Sequence, residues 1–264
     1  MRRPQPSTVR RLILIALLAL WEALPRAGLI PELFLPPLSK TLAALAHERA
    51  DYVAALGVTL SEVAFAMLIA CGAGILVGAL VGGLARLRVL LLPVFSSLYA
   101  VPIVILYPIF TAWLGIGSAS KIAFAGVYGF FPVMLSTAAG IRTIEPQLLL
   151  AARAMGASLP QLIGRVVIPA SIPTVLAGLR LGGALTIVGI VVSEMLTSAA
   201  GIGYLVTSYR TVLDSPHVFA AVLTILAVSV LFDLAARQLE RRTLAWRGAG
   251  RRADAAAVGA AAPA

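Results

Sequence analysis

Six apolar runs constrain this chain of 264 residues more than any other feature of it. Hydrophobic residues make up 60% of the chain and charged residues only 12%, a balance that soluble domains do not have. A bilayer-spanning helix needs about 20 apolar residues, and no run alternates as a β-strand would. We therefore expect an all-α integral membrane protein with about six transmembrane helices, at 12–24, 56–81, 91–114, 122–140, 175–196 and 218–235.

The basic residues indicate which side of the membrane each loop faces. The net charge is +10, but the arginines lie beside apolar runs and not among exposed aromatic residues, which disfavours nucleic-acid binding. With both termini inside, sixteen of the 21 Lys and Arg residues fall on the cytoplasmic side, which leaves five outside. An excess of positive charge marks cytoplasmic loops. We therefore expect a multi-pass protein with both termini in the cytoplasm.

The apolar runs and the charges between them divide the chain into segments. The first run contains Glu22 and is interpreted as a retained membrane helix. A cleaved signal peptide is the alternative, although no Ala-x-Ala site follows the run. Ser39 follows two prolines and is predicted to be the N-cap of a short amphipathic helix. The segments are a cytoplasmic basic tail (1–11), the first helix with an outer loop (12–55), a core of five membrane helices (56–236) that includes a cytoplasmic loop (141–174), and a basic, disordered cytoplasmic tail (237–264).

Glycines and prolines punctuate the second and third runs. Gly74, Gly78 and Gly82 recur every four residues, which favours a smooth helix face for close packing. Glycines scattered without a packing role are the alternative. Pro102 and Pro108 free backbone carbonyls that need other partners inside a membrane, so the third run is a candidate pathway helix. Plain kinks without a role in transport are the alternative.

Three acidic residues lie in apolar surroundings, where a charge is costly unless it is paired or solvated. Glu62 and Asp233 lie towards the ends of their runs, and we expect them to pair with loop arginines or to reach the interface. Glu194 ends the fifth run and is a candidate pathway or gate residue. It either lines the route of a solute or anchors the loop that follows.

The chemistry of an enzyme is not expected in this chain. Neither lysine completes the Gly-x-x-x-x-Gly-Lys-Ser/Thr loop that cradles a nucleotide phosphate. His47 and His217 have no His or Cys nearby at the spacing of metal ligands, and the single cysteine excludes an internal disulfide. We therefore predict no catalytic residue, no metal and no cofactor.

The long segment 148–178 is the main polar interruption between two strongly apolar blocks. Residues 148–155 are predicted to form a short helix that Gly156 ends, and 159–167 a second helix that Pro169 stops. Two short helices joined by small residues form a compact knob. On the cytoplasmic side of a membrane protein, such a knob is a docking surface for another subunit.

The spacing within this segment resembles a known loop. Ala151 and Ala152, three further residues, Gly156, nine further residues and then Val-Val-Ile-Pro at 166–169 resemble the EAA loop of ABC importer permeases. Leu150 replaces the glutamate that begins that motif. The residues implied to dock the ATPase are Leu150, Ala151, Ala152, Arg153, Gly156, Ala157, Val166, Ile168 and Pro169.

Further motifs make the chain resemble the nitrate/sulfonate/taurine branch of these permeases. They are Arg-Val-Val-Ile-Pro-Ala-Ser-Ile-Pro at 165–173, Ala-Gly-Leu-Arg-Leu-Gly at 177–182, Ser-Glu-Met-Leu at 193–196 and Gly-Ile-Gly-Tyr-Leu at 201–205. Because the branch carries a similar Ala-Glu-Met-Leu sequence, the resemblance favours Glu194 as an anchor at the outer mouth.

The resemblance implies a type I importer permease in a bacterial cytoplasmic (inner) membrane. It further implies a homodimer of this chain, two cytoplasmic ATP-binding subunits, an extracytoplasmic solute-binding protein, and coupling through the loop at 148–178. Sulfonate, nitrate, taurine, a bicarbonate-like anion and a pyrimidine precursor all fit the branch as solutes. A stand-alone secondary carrier and a non-transporting membrane scaffold are the alternatives, although the acid pairs that a carrier needs in mid-span are not seen.

Overall fold

A computed structural model describes the backbone of residues 6–260 and the side chains of residues 8–243. Over that range the chain is helical, and no β-strand is found in it. The helices are α1 (Pro6–Arg26), α2 (Leu38–His47), α3 (Arg49–Gly83), α4 (Ala85–Ala100), α5 (Tyr107–Leu114), α6 (Ser118–Arg142), α7 (Pro146–Ala154), α8 (Leu159–Leu162), α9 (Ile168–Thr197), α10 (Ile202–Thr211) and α11 (Ser215–Ala260). A 3-10 turn (Ile103–Leu106) precedes α5, and a π-helical turn (Ile163–Val167) joins α8 to α9.

The length and apolar character of the helices confirm the all-α membrane class. Among the described residues, four helical stretches are long and apolar enough to cross a bilayer: Arg49–Gly83, Ser118–Arg142, Leu159–Thr197 and Ser215–Thr243. The bent pair Ala85–Ala100 and Ile103–Leu114 makes a fifth if it is one span. Helix α1 covers the first apolar run but carries four charged residues, Arg10, Arg11, Glu22 and Arg26, and is not in that group. A sixth span therefore stays a prediction.

The third apolar run is broken and is not one continuous helix as expected. Its two helical parts meet at an angle of 86°. Val101 is extended, as a residue before proline prefers, and Pro102 begins the 3-10 turn. Pro108 lies in the first turn of α5, where its missing N–H costs no hydrogen bond. Of the two prolines, Pro102 accompanies the break and Pro108 only helps to begin the next helix.

Several segments predicted as loops are helical. The loop expected at 82–90 shrinks to an extended Leu84 between α3 and α4. The loop expected at 197–216 contains α10. Helix α11 continues past 237 to Ala260, where we expected disorder, because its alanines and arginines favour a helix. The last part of that predicted tail, 261–264, lies outside the described residues.

The predicted cap of α2 is wrong in a specific way. Pro37 occupies the N-cap position, and Ser39 is the second residue of the helix. The N–H and the hydroxyl of Ser39 both donate to the carboxylate of Glu22, at 2.9 and 2.8 Å. The carboxylate of Glu22 in α1 therefore binds the beginning of α2, which is the role predicted for the Ser39 side chain.

Chain contacts define two compact units, and α3, α9 and α11 contribute a part to each. The first unit comprises the described residues up to Ser61 together with Ile190–Val228. Its apolar core is formed by residues of α3, α10 and α11, among them Tyr52, Ile202 and Ala220. Trp21 of α1 donates a hydrogen bond to the carbonyl of Pro36 at 2.9 Å and so joins α1 to the chain before α2.

The second unit comprises Glu62–Gly189 and the described residues from Ser229 onwards. Here the predicted glycine face of α3 is confirmed. A Cβ atom added to Gly78 would lie 2.7 Å from Cβ of Thr137 on α6, and one added to Gly82 would lie 2.9 Å from Cα of Ala138. Such distances are too short for a real side chain, so the glycines let α3 and α6 pack backbone to backbone.

This packing predicts different effects for two glycines of the same helix. Gly78→Ala should destabilise the protein by about 1–3 kcal/mol, because the new methyl group overpacks the contact with α6. Gly72→Ala is the matched control, since no atom lies within 4 Å of the position of its added Cβ. That variant should be neutral or up to about 1 kcal/mol more stable. Thermal unfolding in detergent measures both, and equal melting temperatures would contradict the packing.

Candidate coupling loop and buried charged groups

The corner between α7 and α8 is built as the sequence predicts. Gly156 has φ +73°, in the left-handed region that favours glycine. Its N–H donates to the carbonyl of Arg153 at 2.9 Å, and the N–H of Ala157 donates to the carbonyl of Ala152 at 3.0 Å. These two bonds form a Schellman motif, which satisfies the last carbonyls of α7 and turns the chain sharply.

The second helix of the loop does not end at Pro169. Ser158 and Gln161 form a capping box that begins α8, and the π turn leads directly into α9. Pro169 is the second residue of α9, where an N–H has no required partner. The knob is therefore formed by the short helix α7 packed against α8, and α8 continues through the π turn into the long helix α9. No break in the helical backbone separates the knob from this candidate membrane span.

The predicted docking residues divide into an inward and an outward set. Ala152 is buried together with Leu162, which fixes α7 against α8. Met155 and Leu159, which were not among the predicted residues, are 81 and 67% exposed. Of the predicted residues, Leu150 is 65% exposed. The remaining members are Ala151, Arg153, Gly156 and Ile168, which are exposed, and Ala157, Val166 and Pro169, which are half-buried. Exposed apolar side chains of this size on one small knob are typical of an interaction site.

Glu194 is buried in the first unit, and each oxygen of its carboxylate accepts a hydrogen bond. Thr59 donates its hydroxyl to Oε1 at 2.8 Å, and the N–H of Gly203 donates to Oε2 at 2.8 Å. The N–H of Ile202 donates to the Thr59 hydroxyl at 2.9 Å. Gly201, at φ +101°, leaves room for the carboxylate, because a Cβ there would overlap it.

These contacts place a negative charge at the beginning of α10. Ile202 and Gly203 are the first two residues of that helix, whose free N–H groups carry partial positive charge. Hydrogen bonds to a buried carboxylate offset the cost of taking it out of water. The geometry favours the anchoring role over an open pathway role. The sequence analysis did not identify Thr59 as a partner of Glu194. A hydroxyl group within an apolar run was the only feature of the sequence that pointed to it.

The far end of α10 is held by a second polar cluster. Tyr209 donates a hydrogen bond to Glu48 and stacks on the ring of His217, with centroids 4.7 Å apart. Burial, and next the hydrogen bond to Glu48, raise the pKa of Tyr209 above its usual value. Tyr209 therefore stays neutral at physiological pH. The carboxylate of Asp214 lies 2.8 Å from Nδ1 of His217, and the carboxylate of Glu48 lies 3.5 Å from Nε2. Each ring nitrogen of His217 therefore faces an acidic side chain.

Glu62 forms a buried ion pair with Lys121, whose ammonium lies 2.6 Å from Oε1. Both side chains are almost fully buried, at 3 and 5% exposure. Glu62 pairs as predicted, but with a lysine and not with a loop arginine. The apolar run predicted at 122–140 leaves Lys121 just outside it, whereas Lys121 lies in the first turn of α6, because that helix begins at Ser118. The pair lies near an end of α6 and not in its middle.

Asp233 pairs with two arginines as predicted, but both lie in helices, α9 and α11, and not in loops. Nε of Arg180 donates to Oδ1 at 2.6 Å, and Nε of Arg237 donates to Oδ2 at 2.7 Å. The side chains of Arg180, Asp233 and Arg237 are 34, 37 and 51% exposed, so this cluster remains accessible. One carboxylate between two guanidinium groups leaves a net charge of +1. The pathway candidates Pro102 and Pro108 are both exposed in the second unit.

Comparison with known proteins agrees with this architecture. Residues 71–245 match the family described as the inner membrane component of binding-protein-dependent transport systems. The chain belongs to this family, and it is therefore the permease subunit of an ABC importer, which works with a separate ATPase and a solute-binding protein. The resemblance identified from the motifs is confirmed.

Two relatives and one solved structure illustrate this similarity. It is 31% identical over 236 residues to the putative aliphatic sulfonates transport permease protein SsuC of Bacillus subtilis strain 168, which covers 88% of this chain and 84% of the relative. It is 31% identical over 242 residues to the taurine transport system permease protein TauC of Escherichia coli K12, covering 89 and 88%. The fold resembles that of the inward-facing MetNI methionine ABC transporter, with a TM-score of 0.59 at 17% identity, covering 74% of this chain and 94% of that chain.

Removing the charge of Glu194 tests its anchoring role. In Glu194→Gln the amide nitrogen cannot accept a hydrogen bond, so a donor from Thr59 or Gly203 loses its partner. We expect a loss of about 1–3 kcal/mol in the free energy of unfolding. Glu145→Gln is the control, because Glu145 is exposed and makes no side-chain cap. A variant at Glu194 as stable as the control would show that the carboxylate is not an anchor.

The Glu62–Lys121 pair predicts a non-additive double-mutant cycle. Lys121→Met leaves a buried carboxylate without its partner and should cost about 3–5 kcal/mol. Adding Glu62→Leu removes that charge and should restore most of the loss. Thermal unfolding of the single and double variants measures the coupling. Additive losses would mean that the two side chains do not stabilise each other.

Proposed function

We propose that this chain, as a homodimer, forms the translocation path of an importer for a small sulfonate-like anion. The class of solute is supported by the SsuC and TauC relatives, each matched over more than four fifths of both chains. We place both termini, and the loop at 148–178, in the cytoplasm, because the excess of arginine lies on that side. Energy comes from a pair of separate ATP-binding subunits, since this sequence has no nucleotide phosphate loop of its own.

The exposed apolar knob is the observation that carries the coupling role. Leu150, Met155 and Leu159 project from a loop whose corner is held by the hydrogen bonds around Gly156. Leu150 stands where the family motif has glutamate, so contact with the ATPase at this point relies on packing and not on a charge. Because the π turn joins the knob to α9 without a break, a shift of the ATPase moves that membrane helix as a rigid element.

The corner at Gly156 offers a matched test of coupling. Gly156→Asp should reduce co-purification with the ATP-binding subunit, or the ATPase rate stimulated by solute and binding protein, by about tenfold, because a side chain at positive φ strains the corner by about 1–2 kcal/mol. Gly164→Asp adds the same charge to an exposed position in the same loop, also with no atom within 4 Å, and needs no positive φ. It should retain near wild-type coupling.

The transport assay separates this function from the alternatives. The complex reconstituted in vesicles should take up a sulfonate only with ATP and the binding protein. Uptake by the purified chain alone would support a stand-alone carrier. Equal coupling in Gly156→Asp and Gly164→Asp would instead contradict the assigned role of the loop while leaving transport intact.

A further inference from the structure

An open apolar groove lies in the second unit, between α3, α9 and α11. It has a volume of about 360 Å³ and is lined by Met67, Cys71, Leu176, Phe232, Ala236 and Leu239. Its one charged wall is Arg180. The ring of Phe232 fits against α9 because residue 183 is glycine, where a Cβ would overlap the ring. A half-open channel of aliphatic and aromatic side chains suits a hydrocarbon chain.

The charge beside the groove is positive. Arg180 and Arg237 share the carboxylate of Asp233, which leaves a net charge of +1. Each arginine uses Nε for this carboxylate, and within residues 8–243 no hydrogen bond is found from their terminal NH2 groups. Those groups remain available to bind two oxygens of an anion, as guanidinium does with phosphate.

The position along α11 brings these groups to the membrane boundary. The residues from Val218 to Phe232 carry no charge, and Asp233 ends this stretch. Arg237, Glu240, Arg241 and Arg242 follow within the next three turns, so this part of α11 still carries more positive than negative charge. Long arginine side chains reach from apolar surroundings to the headgroup region, and basic pockets between membrane helices bind anionic headgroups.

We propose that this groove is a binding site for an anionic phospholipid, with one acyl chain along Cys71 and Phe232 and the phosphate at Arg180 and Arg237. The apolar lining takes the chain, and the net charge of +1 selects an anionic over a zwitterionic headgroup. A lipid is the occupant because the groove opens along the surfaces of three helices that are long and apolar enough to cross the bilayer. The site is distinct from the docking loop and from the Glu194 anchor.

Spin-labelled lipids test this site on the full chain in nanodiscs. Nitroxide-labelled phosphatidylglycerol should associate about fivefold more strongly than labelled phosphatidylcholine, as one net charge near the headgroup predicts. The motionally restricted fraction in the electron paramagnetic resonance spectrum gives both association constants. Equal constants for the two lipids in the wild-type chain would overturn the proposal without any variant.

Two variants and one competitor locate the site. Arg180→Gln should remove the preference for phosphatidylglycerol, and Ala236→Phe should displace the labelled chain by filling the groove. The control Arg210→Gln removes an exposed arginine of α10 and should leave the preference unchanged. Loss of the preference in Arg210→Gln but not in Arg180→Gln would overturn the lipid site. Displacement of the labelled lipid by millimolar methanesulfonate would also overturn it, and would indicate a site for a soluble anion.

The single cysteine gives a second readout. Cys71 lines the groove and is half-buried, so its alkylation by N-methylmaleimide should slow several-fold as phosphatidylglycerol replaces phosphatidylcholine. An alkylation rate that does not change with lipid composition would overturn the assignment of the acyl chain to this groove. Neither readout depends on solute or ATPase, so failure here leaves the proposed transport function untouched.

Discussion

The absence of water from the bilayer core is the constraint on which this structure depends. Each backbone N–H and C=O inside the membrane needs a partner within the chain, which is why the described residues form helices almost throughout. The same requirement governs the acidic side chains. Glu62, Glu194 and Asp233 each have a cation or a set of donors within 3 Å. None of these three carboxylates lacks a polar partner within the protein.

Within the first unit, two short helices each bind a carboxylate of the preceding helix at their beginning. Glu22 accepts from Ser39 at the beginning of α2, and Glu194 accepts from Gly203 at the beginning of α10. Both contacts combine hydrogen bonding with the attraction between a negative charge and a helix N-terminus. Each of these helices is only ten residues long, and isolated helices of that length have marginal stability. The carboxylates of the preceding helices therefore help to stabilise them.

Within the second unit, close backbone packing and the corner of the loop at 148–178 depend on glycine in different ways. Gly78 and Gly82 serve through the absence of a side chain, which lets α3 approach α6. Gly156 serves through its positive φ, in open space, where a side chain would fit but the backbone would be strained. The first use builds a rigid bundle. The second turns the chain between α7 and α8 and so presents an apolar knob at the end of α9.

The sequence by itself determined the all-α membrane class, the importer permease family and the turn of the chain at Gly156. Apolar run length predicts membrane helices, the four-residue glycine period predicts a packing face, and a glycine after a short helix predicts the Schellman turn, because each depends on neighbours in the chain. Only the tertiary structure decided the partners of Glu62 and Ser39, the 86° break at Pro102 and the continuity of the helix through Pro169. Pairing across more than fifty residues, as between Glu62 and Lys121, leaves no periodic trace in the sequence. A proline likewise permits a break, a kink or a helix start, and the packing around it decides which of them forms.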